Sequence, residues 1–304
     1  MAEVVELNGL TMTVERPPLP PPPPPPRPHA STTSPAMDSR PPILLLHGLL
    51  GGAWYFDWYQ KWFAARGYPS VALNLRGHCG SRPVPDIGRV SIHDYISDAR
   101  EAAAALARPP AASRPVVIGH SMGGLIAQKL AEENLVRAAV LLCAAPPRGI
   151  SVASPLLVRK QLRHIFRLLF SRPLRGSLDD HAALTFNRVP RAEWEELYAR
   201  LSPDSGRAGR QISLGAVMVD PERVRCPMLV IAGGDDHFVV PRVGRALAER
   251  YGAPYIEFPE HGHFIVREPG WEEPAEEIAR WLEGVTELTD NENQSSLLSP
   301  GGAT

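Results

Sequence analysis

The feature that most constrains this chain is an alternation of apolar runs and helical patterns between residues 42 and 146. The runs "ILLL", "SVALNL", "PVVIG" and "VRAAVLLCAAP" are apolar at nearly every position, which is typical of strands buried on both faces. Helical patterns separate these runs, and strands that alternate with helices build parallel sheets covered on both sides. We therefore predict an α/β fold with a doubly wound, mostly parallel sheet.

The alternation stops at residue 148 and resumes near residue 223 with a further apolar run, "PMLVIAGG". Between these points the chain has helix-like stretches without a clear buried strand, which indicates a helical insertion in one large domain. We predict N-terminal edge strands over 1–16, a Pro-rich disordered linker over 17–40, an α/β core over 41–147 and 223–284, a helical cap insertion over 148–222 and a disordered tail over 285–304.

Composition and charge argue against several classes of protein. The net charge of -1 at pH 7 offers no general attraction to nucleic acid, so we expect no nucleic-acid partner. The three cysteines have neither the number for a disulfide framework nor the spacing of a metal site, which favours a reducing compartment, the cytoplasm. We also expect no secretory signal in the first residues, and no apolar stretch reaches the length of a membrane span.

A serine flanked by glycines ends one of the apolar runs, in "VVIGHSMGGL" over residues 116–125. Gly-x-Ser-x-Gly alone is weak evidence, but here a strand pattern precedes the motif and a helix pattern follows it. In that context a sharp turn lifts the Ser121 hydroxyl above the sheet edge, and Gly119 and Gly123 leave room for the turn. Ser121 is therefore a candidate nucleophile, and the N-terminus of the next helix favours negative charge beside it.

A serine nucleophile needs a base and an orienting acid, and candidates for both come later in the chain. "GGDDHFVVP" follows a buried strand and contains Asp235 and Asp236, and "HGHF" contains His261 and His263. Functional groups of open α/β sheets gather at the carboxyl ends of the strands, where all of these residues fall. From position alone, both aspartates and both histidines remain candidates.

Taken together, these motifs resemble the α/β-hydrolase fold superfamily, specifically its lipase- and esterase-like branch with a helical cap. The resemblance spans about residues 41–283 and rests on "LLLHGLLGGAW", "LNLRGHCGS", "GHSMGG", "GGDDHFVVP" and "HGHFIVREPGW". It implies that Ser121 is the nucleophile, His263 the base and Asp236 the acid, with Asp235 as the alternative acid. A serine at the turn argues against the epoxide hydrolases and haloalkane dehalogenases of this fold, which carry an aspartate there.

The resemblance also implies the groups that surround these three residues. The oxyanion hole of the family consists of main-chain N–H groups, which here are those of Leu49 and Met122. We expect His47 to shape the loop before Leu49 and His120 to pack beside the nucleophile. Together with Trp194 of the insertion, these two histidines are the candidate residues of the substrate pocket. The resemblance implies neither a metal nor an organic cofactor.

Residues 156–170 of the insertion combine an apolar and a basic pattern. In a single helix over this range, Val158, Leu162, Ile165 and Leu169 share one face, and the arginines and the lysine lie largely off it. We favour a lid helix whose apolar side faces the pocket and whose basic side faces water. The alternative is contact with an anionic membrane surface.

We predict a serine hydrolase that cleaves a carboxylic ester, or a thioester or lactone, through an acyl-enzyme intermediate. Its partner would be a small-molecule or lipid-like ester. The same residues can serve acyl transfer, perhydrolysis or hydrolysis of a carbon–carbon bond, and the fold can also serve a small-molecule receptor with slow turnover. The sequence does not determine the acyl chain length or the oligomeric state.

Overall fold

The computed structural model describes residues 2–18, 40–107 and 114–297, with side chains up to residue 285. Most of the expected Pro-rich linker, residues 19–39, lies outside the described residues. The strands are β1 (Glu3–Leu7), β2 (Leu10–Glu15), β3 (Ile43–Leu46), β4 (Ser70–Leu73), β5 (Val116–His120), β6 (Ala138–Leu142), β7 (Pro173–Leu174), β8 (Asp204–Ser205), β9 (Met228–Gly233) and β10 (Tyr255–Phe258).

In the described part of the chain, eight strands form one sheet in the order β1-β2-β4-β3-β5-β6-β9-β10. The six strands from β4 to β10 in this order pair in parallel, with Ile43 opposite both Ser70 and Val116. The hairpin of β1 and β2 adds two antiparallel strands at one edge. The predicted α/β fold with a mostly parallel sheet is therefore confirmed.

The helices are α1 (Asp57–Ala64), α2 (Ile92–Leu106), α3 (Met122–Glu132), α4 (Pro155–Leu162), α5 (Ile165–Leu169), α6 (Leu178–Leu184), α7 (Trp194–Arg200), α8 (Gly206–Ser213), α9 (Pro241–Tyr251) and α10 (Glu272–Leu297). Because strand side chains alternate between faces, Leu44 and Leu46 pack with α2, α3 and α9, whereas Ile43 and Leu45 pack with α1 and α10. Both sheet faces are thus covered, which explains why the central strands are apolar at nearly every position.

Helices α4 to α8 and the short antiparallel pair of β7 and β8 lie between β6 and β9, within the segment expected to be an insertion. The single helix expected over 156–170 is wrong, since α4 ends at Leu162 and α5 begins at Ile165. The break includes His164, whose Nε2 lies 3.0 Å from the Asp180 carboxylate at the start of α6. Helix propensity is a weak determinant, and this tertiary contact lies at the point where the helix is interrupted.

The C-terminal helix is longer than the sequence indicated. Disorder was expected from residue 285, but α10 continues to Leu297, and only residues 298–304 of the expected tail lie outside the described residues. Extending an existing helix costs far less than nucleating one, so the polar segment can continue the helix that Ala275 and Ile278 anchor in the core.

Candidate active site

Ser121 lies in the sharp turn between β5 and α3. Its backbone has φ of 55° and ψ of -118°, in the positive-φ region that residues other than glycine rarely adopt. The turn depends on close backbone approach, because a Cβ on Gly123 would lie 2.1 Å from the Leu46 carbonyl oxygen. Likewise, a Cβ on Gly119 would lie 2.2 Å from the Gly123 carbonyl oxygen. The glycines of the motif are therefore required by the shape of the turn.

His263 and Asp236 reach Ser121 from loops that follow β10 and β9. The Ser121 Oγ lies 3.1 Å from His263 Nε2, and His263 Nδ1 lies 2.8 Å from Asp236 Oδ2. The other carboxylate oxygen of Asp236 accepts hydrogen bonds from the backbone N–H groups of Phe238 and Val239, both at 2.8 Å. The side chains of Ser121, His263 and Asp236 are all buried. The hydroxyl, the imidazole and the carboxylate therefore form one hydrogen-bonded line with little competition from water.

Asp235 points away from this line. Its carboxylate lies 2.6 Å from Arg188 Nε and 3.1 Å from His237 Nε2, and it also accepts from the side-chain amide of Asn187. Burial is the largest single effect and opposes ionisation of Asp235, but the contacts with Arg188 and His237 together outweigh it and lower the pKa of this carboxyl. Of the two adjacent aspartates, the geometry brings only Asp236 to His263.

His47 and His120 are buried beneath the loop and the turn. His120 Nε2 donates to the backbone oxygen of His263 at 2.8 Å, and the two rings are 4.9 Å apart. His47 accepts a hydrogen bond from the Leu75 N–H, and its other ring nitrogen lies 2.7 Å from the Gly48 oxygen. Burial lowers the pKa of each of these histidines to about 3, so both rings are neutral at pH 7. Their contacts place them as supports of the backbone around Ser121.

A cavity of about 170 Å³ opens at Ser121 between the sheet edge and the cap insertion. Most of its wall is apolar and comes from both the core and the cap, including Leu49, Met122, Leu157, Leu168, Leu184 and Phe238. Of the three residues expected in the pocket, His120 lines the cavity. His47 and Trp194 are not among the described residues that line it, so the expectation is wrong for these two. The Trp194 indole N–H instead donates to the Val189 oxygen at 2.9 Å, and the Arg191 guanidinium lies 5.7 Å from the centre of its ring.

A family model described as the alpha/beta hydrolase family matches residues 43–281, well over half of the chain. The chain belongs to this family. A curated relative, the esterase PIR7B of Oryza sativa subsp. japonica, is 36% identical over 115 residues. That aligned stretch covers 36% of this chain and 40% of the length of the relative.

Solved structures share the fold at lower sequence identity. A monoacylglycerol lipase of Paleococcus ferrophilus is 22% identical with a TM-score of 0.63, covering 80% of this chain and 95% of that chain. A thermophilic esterase of Thermogutta terrifontis is 18% identical with a TM-score of 0.66, covering 93% and 99%. An esterase of Exiguobacterium antarcticum is 16% identical with a TM-score of 0.63, covering 93% and 100%. These likenesses show that the chain shares the fold of these structures.

The cap of the hydrolase is oriented differently from what the sequence suggested. Lys160 was expected in water, but it is buried at the cavity, where its Nζ lies 3.1 Å from the Asp180 carboxylate. Val158, Leu162 and Leu169 were expected to face the pocket, but all three are exposed. The expectation that the apolar side of residues 156–170 faces the pocket is therefore wrong. A periodic pattern identifies the two sides of a helix, but tertiary contacts such as the pair of Lys160 and Asp180 decide which side is covered.

Asp204 is a buried cap residue at the cavity that no sequence pattern singled out. Its Oδ2 accepts a hydrogen bond from the Leu50 N–H at 2.7 Å and lies 3.1 Å from His78 Nε2. Its Oδ1 accepts from the Tyr95 hydroxyl and from the Ser205 N–H, both at 2.6 Å. Asp204 thereby joins the cap to the loop that carries Leu49. It is 154 residues from Leu50, so neither motif nor spacing could have revealed the contact.

At the pair of Asp204 and His78, burial and the charge of the partner shift each pKa in opposite directions. Burial is the largest single effect and disfavours ionised Asp204, yet His78 and the hydrogen bonds from Tyr95 and the Leu50 N–H together outweigh it and keep the pKa of the carboxyl well below its usual range. For His78, burial is the largest single effect and favours the neutral ring, but the Asp204 carboxylate and the backbone hydrogen bonds together outweigh it and raise the pKa of the imidazole. His78 Nδ1 also lies 3.0 Å from the Arg76 oxygen. Because both ring nitrogens face acceptors, the protonated ring fits this position.

One cluster of described residues has the composition of a metal site. Cys143, Asp236 and His263 offer ligand atoms within 4.8 Å of one another. Metal binding requires a thiolate, but burial raises the pKa of the Cys143 thiol well above its usual value, and the neighbouring Asp236 raises it further. The Asp236 carboxylate is already engaged by His263 and two backbone N–H groups. The cluster therefore suits proton transfer better than cation binding.

None of the helices in the described ranges combines the length and the apolar character needed to cross a bilayer.

Proposed function

We propose that the protein is a serine hydrolase that cleaves a carboxylic ester, with thioesters and lactones as chemically related substrates. The observation that carries this proposal is the hydrogen-bonded line from Ser121 through His263 to Asp236, at 3.1 and 2.8 Å. His263 Nε2 accepts the hydroxyl proton as Ser121 Oγ attacks the ester carbonyl, and the imidazolium then returns that proton to the leaving alcohol. Water, activated by the same imidazole, releases the acid from the acyl-enzyme.

Asp236 holds His263 in the tautomer that leaves Nε2 free to accept a proton. Its carboxylate is itself fixed by the N–H groups of Phe238 and Val239, which keeps the imidazole oriented throughout the reaction. It also stabilises the positive charge that forms on His263. Asp235, held by Arg188 and His237, has no part in this step.

The tetrahedral intermediate needs donors for its oxyanion, and we assign the N–H groups of Leu49 and Met122. Met122 is the first residue of α3, where N–H groups lack partners within the helix and the helix dipole favours negative charge. Leu49 adjoins Leu50, whose N–H is bound to the buried Asp204. The loop donor is therefore anchored from the cap before substrate arrives, as electrostatic preorganisation requires.

The cavity supports an apolar acyl group of modest size as the substrate class. Its 170 Å³ is close to the roughly 150 Å³ of an engineered apolar cavity that holds benzene. A short acyl chain or one aromatic ring therefore fits beside Ser121, and a lipid-like chain requires movement of the cap. As the location, we propose a reducing compartment, the cytoplasm, in keeping with the three cysteines found unpaired.

A fluorophosphonate probe tests the nucleophile directly. We expect the wild type to be labelled and Ser121→Ala to remain unlabelled. The adjacent aspartates provide a matched pair: Asp236→Asn should lower kcat for a p-nitrophenyl ester by about 10³- to 10⁴-fold, whereas Asp235→Asn should change it by less than about threefold. An unlabelled wild-type protein would instead favour a small-molecule receptor, and a larger loss in Asp235→Asn would overturn the assignment of the acid.

A further inference from the structure

The cap carries most of the large apolar side chains that the described residues expose. Five of the eight lie between residues 158 and 170, on α4, on α5 and at the end of α5. Their exposed fractions are 45% for Val158, 61% for Leu162, 72% for Phe166, 54% for Leu169 and 66% for Phe170. Single exposed apolar residues are common on proteins, but a concentration of this kind on two consecutive helices marks an interaction surface.

These side chains face away from the cavity. Leu157 and Leu168, on the opposite sides of the same helices, are buried and line the cavity. The rings of Phe166 and Phe170 stack with centroids 6.4 Å apart on the outer side. They border a shallow surface groove together with Arg167, Arg172 and Pro173. We call the five exposed apolar residues, together with Arg159, Arg163, Arg167 and Arg172, the outer cap face.

The outer cap face carries an excess of positive charge. Residues 155–178 contain no Asp or Glu. Lys160 is turned inward to Asp180, but Arg159, Arg163, Arg167 and Arg172 are exposed. Arg163 approaches Asp180 only to 3.7 Å, and 65% of its side chain is exposed, so its charge remains available to a partner.

We propose that the outer cap face docks the protein on the surface of an anionic phospholipid bilayer. Interfacial helices combine exposed Phe and Leu with Arg on the flanks, because the apolar groups enter the acyl boundary while the cations meet lipid phosphates. A second copy of the chain fits less well. In a twofold dimer the same patch meets itself, which would oppose four arginines with four arginines. The inference does not depend on the proposed ester hydrolysis.

Vesicle co-sedimentation tests the proposal on the full chain carrying Ser121→Ala, which leaves the vesicle lipids intact if they are substrates. The probes are vesicles of phosphatidylcholine alone and vesicles with about one-third phosphatidylglycerol. We expect binding to the anionic vesicles that weakens as salt is raised, and much weaker binding to phosphatidylcholine. Equal binding to both compositions, or no binding to either, would overturn the proposal.

Three double variants, each also carrying Ser121→Ala, distinguish a specific docking face from nonspecific adsorption of the protein to vesicles. Arg159→Gln with Arg163→Gln should weaken binding to anionic vesicles about 30-fold, and Phe166→Ser with Phe170→Ser by about tenfold or more. The matched control, Leu214→Ser with Met218→Ser, changes two equally exposed apolar residues outside the face and should leave binding unchanged.

An equal loss in this control would overturn the proposal. So would a wild-type dimer that the two Phe substitutions convert to a monomer, because the face would then be covered by a second copy. Sedimentation velocity in the absence of lipid detects that dimer. Circular dichroism of each variant separates a lost surface from a lost fold.

Discussion

Replacing Asp204 by Asn tests whether the cap holds the loop that carries the proposed oxyanion donor. The substitution preserves the shape of the side chain but removes its charge. In the native protein one oxygen accepts from the Leu50 N–H at 2.7 Å and faces His78 at 3.1 Å. Because Tyr95 and Ser205 both donate to the other oxygen, the new amide nitrogen is best placed toward Leu50, where it cannot accept a hydrogen bond.

The loss in folding free energy caused by Asp204→Asn follows from these contacts. Loss of the charge-assisted hydrogen bond from Leu50 costs about 1.5–3 kcal/mol. Removing one partner of a buried ion pair costs about 3–5 kcal/mol when the other charge stays, but His78 can release its proton, so that penalty applies only in part. We expect the free energy of unfolding to fall by about 2–4 kcal/mol, which corresponds to a decrease in Tm of very roughly 5–12 °C.

The pH dependence follows from the directions of the two pKa shifts. The lowered pKa of Asp204 stabilises the native state above about pH 4, and this contribution is lost as the pH falls through the native pKa. The raised pKa of His78 stabilises it below about pH 6.5, and this contribution is lost as the pH rises through the native pKa. The difference in Tm between wild type and Asp204→Asn should therefore be largest between about pH 4 and 6.5.

Ester turnover gives the second readout. A mobile Leu49 loop weakens one oxyanion donor, and complete loss of such a donor costs about 10²- to 10³-fold in kcat, so we expect a fall in kcat of about ten- to a hundredfold. Asp180→Asn is the matched control: it removes another buried cap carboxylate, paired with Lys160, that makes no contact with the loop. It should reduce stability yet change kcat by less than about threefold. Equal effects of the two variants on kcat, or a Tm difference independent of pH, would refute the reasoning.

Three further predictions concern the turn, the buried histidines and the cavity. Gly123→Ala should abolish fluorophosphonate labelling and lower Tm, because its Cβ would lie 2.1 Å from the Leu46 oxygen; labelling at the wild-type rate would contradict this account of the turn. His120→Gln should lower kcat without moving the midpoint of the pH–rate profile, since burial lowers the pKa of His120 to about 3 and its ring is already neutral; a shifted midpoint would show that it titrates in the working range. Leu168→Ala should move the preferred p-nitrophenyl ester to a longer acyl chain, because Leu168 lines the cavity; an unchanged chain-length profile would place the acyl group elsewhere.

The main sheet and the turn at Ser121 could be predicted because their signals are local. Apolar runs report burial on both faces of a strand, and Gly119 and Gly123 report a backbone that approaches its neighbours closely. The choice between Asp235 and Asp236 needed more than position, since adjacent residues in a loop point in different directions. Family resemblance selected Asp236, and the structure agrees in geometry, because Arg188 and His237 draw Asp235 away.

The cap could not be predicted to the same depth, because its arrangement depends on pairs that are distant in sequence. The pattern over residues 156–170 separates an apolar side from a basic side, but it does not determine which side is buried by the rest of the protein. Burial of Lys160 against Asp180 turns the apolar side outward. Asp204 illustrates the same limit, since its importance is visible only once Leu50 lies beside it.

Under the proposed function, the cap contributes to specificity and to catalysis through different residues. Leu157 and Leu168 form part of the cavity wall, whereas Asp204 fixes the loop next to the proposed oxyanion donor. A cap that moves to admit a larger ester therefore strains the contact between Asp204 and Leu50, so that substrate entry and oxyanion stabilisation compete. Substrates small enough to enter without that movement keep the donor in place. This coupling favours short acyl groups even where a longer chain could be accommodated by opening the cap.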